Sequence, residues 1–128
     1  MKKILIEVSA GELVDKMTIL EIKLQKIKVS ESRIEIKREL DSLKKSFKFI
    51  EENKNINIHF NKLKNVNLKL WDIENEKRLC EKNSDFKDNF VKLSRDVHFL
   101  NDERAKIKLQ INESLGSQIK EIKEYTKY

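Results

Sequence analysis

The sequence contains no proline and only two glycines. Nothing in it forces a helix to kink, and no glycine-rich loop is available to cradle a phosphate. The single cysteine, Cys80, cannot close an internal disulfide, so a reducing, cytoplasmic setting is the default. No apolar run approaches the ~20 residues that a membrane-spanning helix needs. The opening Met1-Lys2-Lys3 precedes Ile4-Leu5-Ile6, but Glu7 breaks that run short of a signal-peptide core of about 7–15 apolar residues. The two histidines, His59 and His98, fall on different predicted elements, without the Glu-x-x-His spacing of di-iron bundles. With one cysteine they make no zinc set either, so no metal and no cofactor is expected. No G-x-S-x-G nucleophile motif occurs, and Cys80 reads as a small core residue, not a reactive thiol. Aromatics make up 7% of the chain, and only Phe47-Lys48-Phe49 interleaves them with a basic residue. That pattern does not suggest base stacking.

What the chain has is charge and apolar residues in nearly equal amounts, 39% and 38%. This is the composition of long, solvated, amphipathic helices. Its 128 residues form one domain, 1–128, able to bury roughly two-thirds of the unfolded surface. The net charge is +6, but acidic residues are interleaved with the lysines, so a mixed solvated surface is expected before a nucleic-acid track. A weak, salt-sensitive nucleic-acid binder stands as the third functional reading.

Four amphipathic helices follow from periodicity. Lys3–Val8, rich in isoleucine and valine, reads as a short extended segment that must pair with something or lie on the bundle. Ser9 and Glu12 form a capping box that opens a helix over about 10–28. Its stripe is Leu13, Met17, Leu20, Leu24 and Ile27, widened by Val14, Ile19 and Ile22, which predicts cover on more than one side. Ser32 with Glu35 suggests a second capping box and a helix over 33–52 carrying Ile36, Leu40, Leu43, Phe47 and Ile50. A third spans about 58–82 with Leu63, Val66, Leu70 and Ile73, and Trp71 beside them. The last covers 85–115, capped by Ser84 or Asp85 and ended by Gly116. The tail 117–128 has weak helical character at Ile119 and Ile122. The fold class expected is all-α, an antiparallel bundle of four helices with coiled-coil-like heptad rhythm. A 30-residue helix is about 45 Å long, against a diameter of roughly 36 Å for a globule of this size. The last helix overhangs it, which favours a homo-oligomer, a dimer first, or a helical protein partner.

The fourth helix carries the sharpest chemical hint. Phe86, Phe90, Leu93, Val97, Leu100, Arg104, Ile107 and Ile111 make one stripe, with Arg104 at a core position. A buried guanidinium needs a carboxylate or an anion. One reading is an anion-binding arginine in a cleft; the other is a salt bridge to Asp15 or Glu21, or a packed stem with its head in water. Asn101 and Lys108 lie along the same flank. Lys16 and Lys23 share a face of the first helix and, with Arg104 and Arg78, could line a site for a carboxylate or phosphate, in the manner of small helical mutases. The alternative is ordinary surface lysines. Glu12-x-x-Asp15 resembles half of a magnesium-binding motif of helical pyrophosphatases, without a second half. Trp71 is a packed anchor or a ligand contact. Catalytic residues are left unassigned, and whether the protein is an enzyme is open.

Three stretches carry a resemblance: VSAGELVDKMTILEIK at 8–23, LWDIE at 70–74 and NDERAKIKLQIN at 101–112. They resemble a bacterial family of short helical proteins grouped as a domain of unknown function. The likeness continues into GSQIKEIKEY at 116–125 and is weakest over 30–60. It implies no activity, only a setting near sugar-transfer or cell-surface polysaccharide genes. It points to Asp15, Lys16, Glu21, Lys23, Trp71, Asn101 and Arg104 as the residues to follow. The leading expectation is a non-enzymatic helical interaction or accessory protein. The alternative is a small enzyme or ligand-binding protein with an anionic site around Arg104, Lys16 and Lys23.

Overall fold

The computed structural model describes residues 2–117 and 122–128. Four helices follow in order: α1 Ala10–Lys26, α2 Ser30–Phe47, α3 Ile56–Lys82 and α4 Asp88–Leu115. The architecture is an all-α bundle, and no strand occurs among the described residues.

Helix α1 is the centre. It packs against α2, α3 and α4, while α2 lies on α1 alone apart from the edge-on contact of Phe47 with Phe60, 6.0 Å between rings. The broad apolar surface of α1 explains this. Val14 faces Leu63, Val66, Leu70, Ile107 and Ile111 in one cluster, while Met17 and Leu20 meet Leu40 in a second. Phe47 and Phe60 pack against both. Helices α3 and α4 form a long antiparallel hairpin. Its 27- and 28-residue arms rise about 40 Å, against about 26 Å for α1. Lys26, the last residue of α1, reaches Asp72 at 3.4 Å. Beyond that level the hairpin continues with Cys80 and Leu93 buried within it and Leu79, Phe86 and Val91 exposed.

The helix ends show which local signals operate. Ser9 Oγ accepts from the Glu12 amide at 3.1 Å, as a cap should. Gly116 is left-handed, φ 64°, and the amides of Gly116 and Ser117 return to the Glu113 and Asn112 carbonyls, a Schellman ending. The second capping box does not form. Helix α2 starts at Ser30, with Val29 at the N-cap position making no side-chain cap, so Ser32 and Glu35 lie inside it. The earlier start puts Arg33 in reach of α1, where its guanidinium donates to the Leu24 and Ile27 carbonyls and closes that helix's C-terminus. Helix α2 stops at Phe47, not near 52, and turns lead to left-handed Asn55 and the buried Ile56. Helix α4 begins at Asp88, not 85, because Ser84 is left-handed and the Asp85 carboxylate accepts from the Lys87 amide in a turn. Phe86 therefore leaves the core stripe and stands half exposed, edge-on to Phe90 at 5.4 Å.

Two terminal expectations change. Residues 2–8 form no strand; Ile4, Leu5 and Ile6 are almost fully exposed, while Lys3 borders a cavity along α2 with Glu35, Glu39 and Asp41. In the tail, Ile119 lies outside the described residues, and 122–128 is not helical. Tyr128 packs its ring against His98 and Phe99 and hydrogen-bonds the Asp102 carboxylate.

The tightest approach is at Gly11. A Cβ there would lie 2.5 Å from the Lys108 carbonyl oxygen and 2.9 Å from Asn112 Oδ1. Alanine is the better helix former by about 1 kcal/mol, yet Gly11→Ala should destabilise the protein by about 1–3 kcal/mol, because backbone cannot move aside as a flexible side chain can. Urea unfolding measures it; an alanine variant as stable as wild type would mean α1 and α4 are not this close.

Candidate functional site

The polar cluster forms where α1 crosses α4 and α3. On α1, Glu12, Asp15 and Thr18 recur every three residues and share a face; on α4, Arg104, Lys108 and Asn112 recur every four. The antiparallel approach at Gly11 brings the two rows together. Arg104 binds Asp15 with both prongs, Nε to Oδ1 at 3.0 Å and Nη2 to Oδ2 at 2.5 Å. Lys108 Nζ lies 2.8 Å from Glu12 Oε2 and 3.7 Å from Asp15 Oδ2. From α3, Asn67 donates through Nδ2 to Asp15 Oδ1 at 2.9 Å and to Thr18 Oγ1 at 2.8 Å. The Thr18 hydroxyl donates in turn to the Asp15 carbonyl at 2.7 Å.

The first turn of α1 is closed as well. The Ala10 amide donates to Ser117 Oγ, the Gly11 amide to Asn112 Oδ1 at 2.6 Å, and the Glu12 amide to Ser9 Oγ. A helix N-terminus normally offers these donors to an anion. Here side chains from the end of α4 and from the cap take them.

Asp15 is 2% exposed. Burial alone pushes its pKa up; the hydrogen bonds from Arg104 and Asn67, and the charges of Arg104 and Lys108, outweigh that and hold the carboxyl below its ordinary range. Lys108 is also buried, whereas Arg104 keeps 29% of its side chain exposed. A cavity of about 220 Å³ touches Lys108 and Asn112 from outside, but Arg104 and Asp15 do not line it.

Of the residues singled out in the sequence, the structure joins Arg104 to Asp15. Lys108 and Glu12, also named there, join them, with Lys108 Nζ 2.8 Å from Glu12 and 3.7 Å from Asp15; the rest are not brought to the cluster. Lys16 faces α2 and pairs with Glu39 at 2.9 Å, both side chains about half exposed. Glu21 pairs with Lys64 on α3 at 3.2 Å, and Arg78 with Glu74 within α3. Lys23, Asn101 and Trp71 are half-buried and enter no hydrogen bond or ion pair of the cluster. The sequence reading missed Asn67, Thr18, Gly11 and Asn112. Asn67 had a usable signal, an asparagine next to Val66 on the core stripe, three residues before Leu70. Among the described residues no group of three histidine, cysteine, aspartate or glutamate side chains is placed to hold a metal ion, and Glu12 and Asp15 are both held by cations. No described helix is long and apolar enough to cross a membrane.

Residues 3–128 match a family described as a family of unknown function, DUF6165. The chain belongs to this family. The match covers the whole cluster and all four helices, so the α1–α4 junction lies inside the DUF6165 domain. No curated protein and no solved structure gives a significant match.

The pairing predicts an asymmetry. Arg104→Met leaves a buried carboxylate short of its main partner and should cost about 3 kcal/mol. Asp15→Leu combined with Arg104→Met removes both charges and should recover to within about 1 kcal/mol of wild type. Chemical denaturation of the cycle checks this; equal losses in the single and double variants would mean the two groups are not coupled.

Acid should expose the same pair. Folded Asp15 binds its proton less readily than unfolded Asp15, so its contribution is complete above the unfolded value of about 3.9 and disappears as pH falls below it. Between pH 5 and pH 2 the wild type should lose stability more steeply than the double variant. Parallel curves would remove Asp15 from the acid sensitivity.

Proposed function

We propose that this chain is a non-enzymatic interaction or accessory protein that recognises partners through helix faces and works as a dimer. The observation that carries the reading is a contrast between two surfaces. The arginine best placed for an anionic ligand is occupied from inside by Asp15. The distal hairpin, by contrast, has no α1 over it and leaves Leu79, Phe86 and Val91 more than half exposed. A partner helix laid along this strip would cover its apolar side chains. Asp88, Lys92, Arg95 and Asp96 flank it with charges of both signs, which fits a partner of mixed charge. A cytoplasmic setting suits the lone buried thiol of Cys80. An accessory role beside sugar-transfer or cell-surface polysaccharide enzymes accords with the family resemblance.

Thermal unfolding against anionic metabolites, sugar nucleotides included, tests the reading. A true ligand at 100 times its dissociation constant would stabilise the protein by about 2.7 kcal/mol. We expect no shift. A rise of several degrees in wild type that Arg104→Met abolishes would overturn the proposal in favour of an anionic-ligand site. On the hairpin, Leu79→Lys and Val91→Lys should change stability by no more than about 0.5 kcal/mol, as for side chains held out for a partner. Losses above about 2 kcal/mol would make them core residues and remove the docking strip.

A further inference from the structure

The segment that leads into α1 is unlike the rest of the surface. Ile4, Leu5 and Ile6 are three adjacent apolar side chains at 88%, 88% and 77% exposure, followed by Val8 at 46%. Among the described residues, no backbone group of 2–8 makes a hydrogen bond to another part of the chain. Isoleucine and valine are strand formers, and a segment of this kind, once paired as a strand, offers a full row of amides and carbonyls to another edge.

We propose that the occupant of that edge is the same segment of a second copy, paired antiparallel about Leu5. This inference rests on the dimer reading above and assigns its seam. Charge selects the arrangement. With Leu5 opposite Leu5 of the second copy, Lys3 faces Glu7 at both ends, and Ile4 faces Ile6 at both inner positions. A parallel, in-register pair would set Lys3 against Lys3 and Glu7 against Glu7. Slipping the antiparallel pair by one residue sets a charge against an isoleucine. Alternation does the rest: Ile4, Ile6 and Val8 share one face of the ribbon, and Lys3, Leu5 and Glu7 share the other. Two strands alone are marginal. Here each strand runs straight into the α1 cap at Ser9, so two bundles are tethered to the ribbon and its isoleucine face can close on them.

Sedimentation velocity of the full chain tests the seam, with far-UV circular dichroism to confirm that the helices are intact. Wild type should sediment as twice the 15.3 kDa chain. Lys3→Glu and Glu7→Lys each place like charges at both ends and should weaken association about tenfold. The double swap, Lys3→Glu with Glu7→Lys, should restore it. Mild oxidation should link Leu5→Cys into a covalent dimer, because residues opposite each other in an antiparallel pair lie within disulfide reach. Ile4→Cys, two positions from its own counterpart, should link far less. A dimer indifferent to both single reversals overturns the strand seam and leaves the dimer reading standing. A swap that fails to restore association overturns the antiparallel register. A monomeric wild type overturns the seam and the dimer together.

Discussion

The structure depends on a carboxylate that has almost no access to water. Asp15 sits on α1, which packs against each of the other three helices. An unpaired charge there would cost several kcal/mol, so the surrounding elements must supply partners at fixed positions. Helix α4 supplies Arg104 and Lys108, and α3 supplies Asn67. Each partner also fixes a register. A slide of α4 by one turn, about 5.4 Å, would carry Arg104 out of reach of Asp15. The same slide would bring side chains against Gly11, where the Lys108 carbonyl now fits only because no Cβ is present. Apolar clusters tolerate such a slip more easily, since one leucine resembles another. The polar cluster therefore sets alignment, while the two apolar clusters, with Val14, Leu63 and Ile111 fully buried in the larger one, supply the bulk of the burial.

Periodicity made most of the fold legible. The widened stripe of α1 foretold cover on several sides, and α1 is covered by three helices. Gly116 ended α4 as its chemistry required. The failures lie where a distant residue outweighs a local signal. Ser32 and Glu35 have the spacing of a capping box, but the helix already begins at Ser30, and Arg33 in its first turns closes the end of α1. Phe86 kept the four-residue rhythm yet lies outside α4, because left-handed Ser84 and the Asp85 turn delay the helix. Rhythm reports which side chains could share a face; it does not report where the backbone begins to turn.

The cluster was only half legible, for a related reason. Arg104 stood out because it broke an apolar stripe, and Asp15 was one of its two named partners. Lys16 and Lys23 were grouped with Arg104 because charge on one helix suggests a shared face, but Lys16 is turned to Glu39 on α2. Which of several lysines meets a given carboxylate depends on how helices cross, and crossing is not written in any single helix. Asn67, Thr18 and Asn112 were missed because neutral polar side chains carry no sign. Their roles appear only when a buried group needs one more donor or acceptor.

The closed state of the cluster also bears on why a chain of net charge +6 need not hold an anion at its most basic interior point. A phosphate or carboxylate that took the two donors of Arg104 now held by Asp15 would have to displace it. That exchange returns nothing for the guanidinium, which trades one carboxylate for another. It leaves Asp15 dependent on Lys108 and Asn67 at a position with 2% exposure. The amides at the start of α1 could not make up the difference, since Ser117, Asn112 and Ser9 already accept from them. An incoming anion would thus have to overcome an intramolecular competitor that is present at every moment and needs no ordering. The distal hairpin has no such competitor. Its apolar side chains are in water, and any surface that covers them gains burial without first breaking a bond in the protein. Function that works by covering surface has far less to overcome in this molecule than function that works by opening its centre.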